Sequence, residues 1–388
     1  MQVQVDRKAV FKLLDTILPL WQQRKFPYNQ KDAVVPQKLI PESIREDKLK
    51  LACFYFYACI YMRGGIVSAQ AFRALLRMRR IYPDMFDPLL ARWLTVEEVQ
   101  QVLKKFIGWD SKAASINWVE NSTRLVESWE GNPLNLVKGV RNYEEACRRI
   151  RNKRLIKDRK EAGEGGAGFR GFQYKMVSML IYFFDWEGLL PKRFLYPSPA
   201  DFHNFRLGIA SGGIVVELEP GERLRPDRHL STLWRAVIME YLVERGADPL
   251  EVADALWLYS LVLCGNSPAT LTRNEELLDP KLINGRYVRN LFHHHKVKEE
   301  WDHVSWAAGK KEKLLKTCLK CPFLGTCQPI PARPYYTSGE LQIRAPLKLW
   351  FSFSPEDAPS SERAVNKLLT PHQHDFGFPI AHKPAEAP

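Results

Sequence analysis

Most apolar residues of this chain recur at the spacing of α-helices, and the alternation typical of strands is rare. The region up to about residue 129 has a helical pattern, with a capping box at Thr95 and Glu98 ahead of an apolar stripe. Further helical patterns cover 174–190, 230–245 and 250–263, and the clearest strand pattern covers 213–218. The sequence therefore predicts a mainly α fold.

The longest apolar run covers residues 51–62 and is too short to span a bilayer, so we predict a buried core helix there. The first residues are charged from Asp6 onward and lack the apolar segment of a signal peptide. We therefore expect a cytoplasmic protein with no membrane association. A hydrophobic content of 45% is typical of an ordered chain, and only residues 355–388 have the composition of a flexible tail.

The formal net charge of +13 indicates an anionic partner, because strongly basic proteins commonly bind an anion, most often nucleic acid. Eight of the thirteen residues from 148 to 160 are basic, among them Lys153 and Arg154, and a glycine-rich stretch follows at 163–171. The basic run either contacts phosphates, with an affinity that falls as salt rises, or forms a solvated helix face. Charge alone leaves both interpretations open.

Three of the seven cysteines form a cluster, Cys318-x2-Cys321-x5-Cys327. In the reducing compartment that a chain without an export signal is expected to occupy, clustered thiolates indicate a metal centre rather than disulfides. Thiolate ligands favour zinc or an iron–sulfur cluster. Both centres normally need four ligands, so one must come from elsewhere in the chain.

Cys264 is the fourth ligand that we prefer, because it ends an apolar helical pattern immediately before a turn-rich segment. Cys147 is a further candidate, whereas Cys53 and Cys59 lie in the apolar run and are better explained as core residues. The three consecutive histidines at 293–295 are a rival source of the ligand, although an exposed helix face explains them as well.

The cysteine spacing resembles the last three ligands of the iron–sulfur loop in endonuclease III-like DNA glycosylases. That family has its first cysteine seven residues before the second, and the corresponding residue here is Lys311. The resemblance implies a [4Fe–4S] cluster, with zinc as the alternative, bound by Cys264, Cys318, Cys321 and Cys327.

Two further motifs resemble the helix-hairpin-helix superfamily to which those glycosylases belong. Gly171-Phe172-Gln173-Tyr174-Lys175 is similar to the end of the hairpin motif, Gly-x-Gly-x-Lys, with Gln173 in place of the second glycine. Downstream, Asp201-x-His203-x-x-Arg206 is similar to the superfamily's Asp-x-His-x-x-Arg signature. The resemblance implies that Asp201 and Lys175 are catalytic. The expected DNA contacts are Arg170, Gly171, Gln173, His203 and Arg206, together with the basic Lys153 and Arg154.

The same resemblance implies a two-lobed helical fold of the helix-hairpin-helix glycosylase type. We expect an N-terminal helical region at 1–130 and a glycosylase-like region at 131–350 that contains the metal-cluster loop at 318–327. The flexible tail would follow at 355–388.

The proposed chemistry explains why a carboxylate and an amine would be needed. Cleavage of an N-glycosidic bond builds positive charge on the sugar as the base departs, and the Asp201 carboxylate can stabilise that charge and orient water. The Lys175 amine can instead attack the anomeric carbon and form a Schiff base, which requires a partly neutral lysine. Burial beside Tyr174 and Phe172 would lower the pKa of Lys175 in that direction. The alternatives are a phosphate contact for Lys175 and a helix N-cap for Asp201.

A second family competes with the first. Queuosine-salvage proteins, which release a 7-deazaguanine base from a nucleotide, are similar to this chain in shorter segments. Those segments are 131–137, the Tyr174-Lys175 pair, Ala200-Asp201-Phe202 and Ala255-Leu256-Trp257. That family has a lysine at the position of Lys175 but does not use Schiff-base chemistry. Both resemblances imply N-glycosidic cleavage with Asp201 central, and they differ in the substrate.

We therefore predict a monomeric DNA N-glycosylase that removes a damaged or modified base, in repair or in defence against modified foreign DNA. A nucleotide N-glycosidase of the queuosine type is the first alternative. The second is a non-catalytic iron–sulfur or zinc protein that binds nucleic acid.

Overall fold

The computed structural model of the chain describes residues 2–31, 33–62, 68–106, 111–152, 168–217, 228–263, 321–323, 335–337 and 340–342. These residues are mainly helical, which confirms the prediction of a mainly α fold, and the helix-hairpin-helix glycosylase type stays a prediction. None of the described helices is both long and apolar enough to cross a membrane. The predicted tail at 355–388 lies outside the described residues.

Helices dominate the order of elements within the described ranges. In chain order the helices are α1 (Arg7–Gln22), α2 (Glu42–Arg45), α3 (Lys48–Tyr61), α4 (Ser68–Ile81), α5 (Pro88–Ala91), α6 (Val96–Phe106), α7 (Ser111–Trp129), α8 (Tyr143–Ile150), α9 (Tyr174–Trp186), α10 (Phe202–Ala210), α11 (Arg228–Arg245) and α12 (Pro249–Val262). Short 3₁₀ turns cover Pro36–Leu39, Pro83–Phe86 and Pro133–Leu136. The strands are β1 (Gln2–Val5), β2 (Ile214–Glu217), β3 (Tyr335–Thr337) and β4 (Glu340–Gln342).

The described residues belong to two compact units. Unit 1 takes its residues from Met1–Ala33, Phe202–Val237 and Ala255–Pro388, and unit 2 takes its residues from Val34–Asp201 and Ile238–Asp254. Each unit is therefore assembled from segments that are separated along the chain. Asp201 is the last residue of its segment in unit 2.

Helix α3 lies at the centre of the core of unit 2, because every residue from Leu51 to Tyr61 is buried. Its aromatic rings stack on the neighbouring helices: Tyr55 lies 4.7 Å from Phe183 of α9, and Tyr57 lies 4.4 Å from Trp118 of α7, measured between ring centroids. A helix that is apolar on all sides needs to be buried on all sides. The prediction of a buried helix at 51–62 is confirmed.

The capping box at the start of α6 forms as the sequence predicts. The Thr95 amide donates to the Glu98 carboxylate at 2.7 Å, and the Glu98 amide donates to the Thr95 hydroxyl at 3.2 Å. These two bonds satisfy amides that would otherwise lack partners in the first turn. They also lower the pKa of Glu98, because the backbone and side chain of Thr95 donate to its ionised form.

The strand predicted at 213–218 is confirmed as β2, but its partner contradicts the predicted helical start of the chain. Strand β2 pairs antiparallel with β1, and Val5 lies opposite Ile214 while Gln2 lies opposite Glu217. The Asp6 amide extends the pairing by donating to the Gly213 carbonyl at 2.9 Å. Four residues are too few for their periodicity to indicate a strand, so the pairing in unit 1 decides the structure.

Candidate active site

The glycine hairpin predicted to bind nucleic acid lies directly before α9. Gly168 and Gly171 have φ values of 66° and 86°, in the left-handed region that favours glycine. The turn is held against the end of α8, where the Phe169 amide donates to the Ile150 carbonyl at 3.1 Å and the Asn152 amide donates to the Phe172 carbonyl at 2.7 Å. The hairpin is thus a fixed turn in unit 2.

Buried aromatic residues anchor the same hairpin. Phe169 and Phe172 are buried, and their rings lie 5.2 Å and 5.3 Å from the ring of Phe56 in α3. Two residues of the hairpin therefore belong to the core of unit 2. Between them lie Arg170 and Gly171.

Helix α7 provides polar contacts to Arg170 that the sequence did not indicate. The Asn121 side chain accepts a hydrogen bond from the Arg170 amide at 2.7 Å and donates one to the Arg170 carbonyl at 2.9 Å. The Arg170 guanidinium pairs with Glu120 at 2.6 Å. Asn121 and Glu120 belong to no motif, so sequence inspection gave no signal for either residue.

Lys175 lies in the first turn of α9 and is half-buried. Burial raises the pKa of the Cys59 thiol in α3, and the nearby positive charge of Lys175 acts in the opposite direction. The preceding residue, Tyr174, is hydrogen-bonded to Arg151, whose guanidinium lies 4.5 Å from the centroid of the Tyr174 ring. The N-cap residue of α9, Gln173, makes no capping bond with its side chain. Cationic groups therefore surround the start of this helix.

Asp201 is a half-buried residue that directly precedes α10. It ends an irregular segment that begins after α9, and the neighbouring Ser198 and Ala200 in this segment are buried. The Tyr196 hydroxyl anchors the segment by donating to the Asp185 carboxylate of α9 at 2.9 Å. Helix α9 thus holds Lys175 at one end and contacts the segment that leads to Asp201 at the other.

Of the remaining predicted DNA contacts, His203 lies in unit 1, and the side chains of the others lie outside the described residues. In unit 1, His203 has its Nδ1 atom 3.4 Å from the Ser260 hydroxyl, and its ring lies edge-on to Trp257 with 5.8 Å between centroids. The side chain of Arg206 and both Lys153 and Arg154 lie outside the described residues. Their predicted contacts with DNA stay predictions.

Cys321 is the described member of the predicted metal centre, and it is half-buried. The Tyr259 hydroxyl lies 3.2 Å from its Sγ atom, and the Tyr259 ring packs edge-on against Phe323 with 5.9 Å between centroids. A partly accessible thiol is suited to ligate a metal as a thiolate, to which a neighbouring hydroxyl can donate a hydrogen bond. Cys264, Cys318, Cys327, Lys311 and the histidines at 293–295 lie outside the described residues.

Three other cysteines have the environment of core residues. Cys53, Cys59 and Cys147 are buried, and burial raises the pKa of Cys53 to about 12. The first two are confirmed as core residues, as the apolar run indicated. Among the described residues, no group of three or more cysteine, histidine, aspartate or glutamate side chains is arranged to hold a metal ion.

Comparison of the sequence with protein-family models and with curated proteins finds no match in either set. The site is therefore interpreted from its own residues.

Proposed function

We propose that this chain cleaves the N-glycosidic bond of a modified base in DNA, with Asp201 as the central catalytic residue. The observation that supports this proposal most is the position of Asp201. It is a half-buried carboxylate at the end of a segment anchored on α9, the helix that holds Lys175 in its first turn. One carboxylate and one amine in the same unit are the groups that this reaction uses.

In the proposed reaction, a water oxygen forms a bond to the anomeric carbon while the bond from that carbon to the base nitrogen breaks. The electron pair of the broken bond leaves with the base, which takes up a proton from solvent. The Asp201 carboxylate stabilises the positive charge on the sugar and accepts the proton of the attacking water. Partial burial strengthens this interaction, because the effective dielectric constant is lower than in bulk water.

Lys175 contacts the substrate beside Asp201 in this proposal. It lies in the first turn of α9, near the buried Cys59 of α3. A Schiff-base role and a phosphate contact remain separable by experiment. Borohydride added during turnover should trap a covalent adduct with DNA in the first case, and Lys175→Met should abolish that adduct.

The surroundings of α9 support a substrate that carries phosphate. Arg151 and Lys175 lie near a helix N-terminus whose partial positive charge attracts anions, and no acidic residue lies in the first turn. The ion pair of Arg170 with Glu120 is partly exposed and therefore weak, so it does not distinguish DNA from a free nucleotide.

The [4Fe–4S] cluster would be held by Cys264, Cys318, Cys321 and Cys327, and when bound it would brace the C-terminal part of the fold. The partly accessible Cys321 thiol beside the Tyr259 hydroxyl is compatible with this role. The catalytic steps are assigned to residues elsewhere in the chain.

Base release from duplexes that contain single modified bases tests the proposed function, with the matching free nucleotides as the second arm. Asp201→Asn should lower the single-turnover rate by about 100-fold or more, because a neutral amide cannot stabilise the cationic sugar. Asp6→Asn is the matched control, since Asp6 caps α1 through a bond from Ala9 and lies far from this chemistry in sequence.

The outcomes separate the three functions. Abasic sites in duplexes support the DNA glycosylase, and release from nucleotides alone supports the salvage enzyme. Nucleic-acid binding without base release from any substrate supports the non-catalytic protein. An unchanged rate in Asp201→Asn would remove Asp201 from the mechanism.

A further inference from the structure

The segment between α9 and Asp201 has no helix or strand, although it carries the proposed catalytic carboxylate. Such a segment has many accessible backbone conformations unless side-chain contacts restrict it. A catalytic group needs a fixed position, because an error of about 1 Å can cost about 100-fold in rate. The contacts that restrict the segment therefore bear on catalysis.

Arg193 restricts this segment through hydrogen bonds to two carboxylates. Its Nε atom donates to Asp185 Oδ1 at 2.6 Å, and its Nη2 atom donates to Asp185 Oδ2 at 3.0 Å. The same Nη2 atom donates to both carboxylate oxygens of Asp248, at 2.8 Å and 2.9 Å. One guanidinium thus joins the segment to the last turn of α9 and to the residue before α12.

The burial of Asp185 makes this contact strong. Its side chain is 2% exposed, and it accepts hydrogen bonds from both Arg193 and Tyr196. A buried carboxylate requires such donors, because leaving it unpaired is costly. Two residues of the segment are consequently held at one point of α9, and Asp201 follows Tyr196 by a short stretch that contains the buried Ser198 and Ala200.

We propose that Arg193 is a positioning residue for the reaction. It holds the segment so that Asp201 keeps a fixed position relative to α9 and therefore relative to Lys175. This inference rests on the proposed function. Asp185 lies near the end of α9 and Lys175 near its start. The helix therefore links the anchored segment that precedes Asp201 to Lys175. Arg193 itself touches no reacting atom.

A second arginine provides a matched control in the same unit. Arg45 pairs with Glu187 at 2.6 Å, and the Glu187 side chain is 5% exposed. Both arginines therefore hold a buried carboxylate at the end of α9. Arg45 differs because its partner Glu187 directly follows α9, before Arg193 in the segment, and because it anchors the chain before α3 by donating to the carbonyls of Gln37 and Ile40.

The test compares Arg193→Met, Arg193→Lys and Arg45→Met in the full-length chain. We expect Arg193→Met to lower kcat for base release by about 30-fold with a change in KM below about threefold. Arg193→Lys should recover part of kcat, because one ammonium can hold one of the two carboxylates. Arg45→Met should lower the unfolding midpoint while kcat changes by less than about threefold.

Hydrogen exchange provides a measurement that does not depend on activity. In Arg193→Met, the amides of residues 194–196, 198, 200 and 201 should exchange at least about tenfold faster, and those of α3 should be unchanged. If exchange is unchanged, or if both arginine variants lose kcat equally, the positioning role is wrong. If exchange rises as expected while no substrate releases a base, the proposed function fails and the anchoring by Arg193 stands.

Discussion

Asn121 binds both backbone polar groups of Arg170, with its side-chain oxygen 2.7 Å from the Arg170 amide nitrogen and its side-chain nitrogen 2.9 Å from the Arg170 carbonyl oxygen. This arrangement satisfies both backbone groups at the tip of the hairpin with one buried side chain. The turn before Lys175 is therefore fixed by a helix that is distant along the chain.

Asn121→Leu tests the importance of that contact. Leucine has a similar volume but leaves the Arg170 amide and carbonyl without partners, so we expect a loss of about 2 kcal/mol in the free energy of unfolding. Urea denaturation measures the loss. Thr123→Val is the control, because the Thr123 hydroxyl bonds only within its own helix, to the Val119 carbonyl. Equal stability of the two variants would contradict the prediction.

Gly168→Ala should disrupt the same hairpin by a different mechanism. A Cβ atom there would lie 1.9 Å from the Arg151 carbonyl oxygen, at a residue with a φ of +66°. We expect a destabilisation of about 3 kcal/mol, from backbone strain and a steric clash together.

Gly188→Ala separates these two effects. Gly188 has a φ of +65°, but a Cβ atom there meets nothing within 4 Å, so only the backbone strain of about 1 kcal/mol should appear. Thermal and urea unfolding of the two variants provide the comparison. A larger loss at Gly188 than at Gly168 would show that the clash is relieved at little cost.

Asp248 should make stability depend on pH through its contact with Arg193. Burial alone would raise the pKa of Asp248, but hydrogen bonds from Arg193 and from the Leu250 amide lower it overall. A carboxyl group whose pKa is lower in the folded state stabilises the fold above the unfolded pKa of about 3.9. That contribution disappears as pH falls through the folded value.

Asp248→Asn measures this contribution, because asparagine still caps α12 while the charge is lost. The variant should be less stable than the natural chain by about 1 kcal/mol at pH 7. The difference should be constant down to about pH 5, shrink as pH falls below the unfolded pKa of about 3.9, and vanish below the lower pKa of the folded state. A difference that persists at the lowest pH would assign the effect to packing rather than to charge.

The cysteine centre has a spectroscopic test. Protein purified without oxygen should bind iron and show a broad absorption band at about 400 nm if the centre is a [4Fe–4S] cluster, and zinc would give no such band. Cys321→Ser should remove the band and most of the bound iron. Cys53→Ala is the control, because burial raises the pKa of Cys53 to about 12 and keeps it a thiol. Loss of iron in both variants would point to general instability.

The candidate site was only partly predictable from the sequence. Lys175 and Asp201 were found because they belong to short motifs whose residue types reflect their chemistry. Asn121 and Arg193, which contact the hairpin before Lys175 and the end of α9, belong to no motif. Their importance depends on what they contact, and those contacts join segments that are far apart in the chain.

The sequence by itself determined the local structure. The capping box at Thr95 joins residues of a single turn, and the continuous apolar run of α3 directly indicates a helix that must be buried. Only the tertiary structure decided the pairing of β1 with β2 and the division into units built from separated segments. Those features depend on contacts between distant residues, for which a single sequence carries no periodic signal.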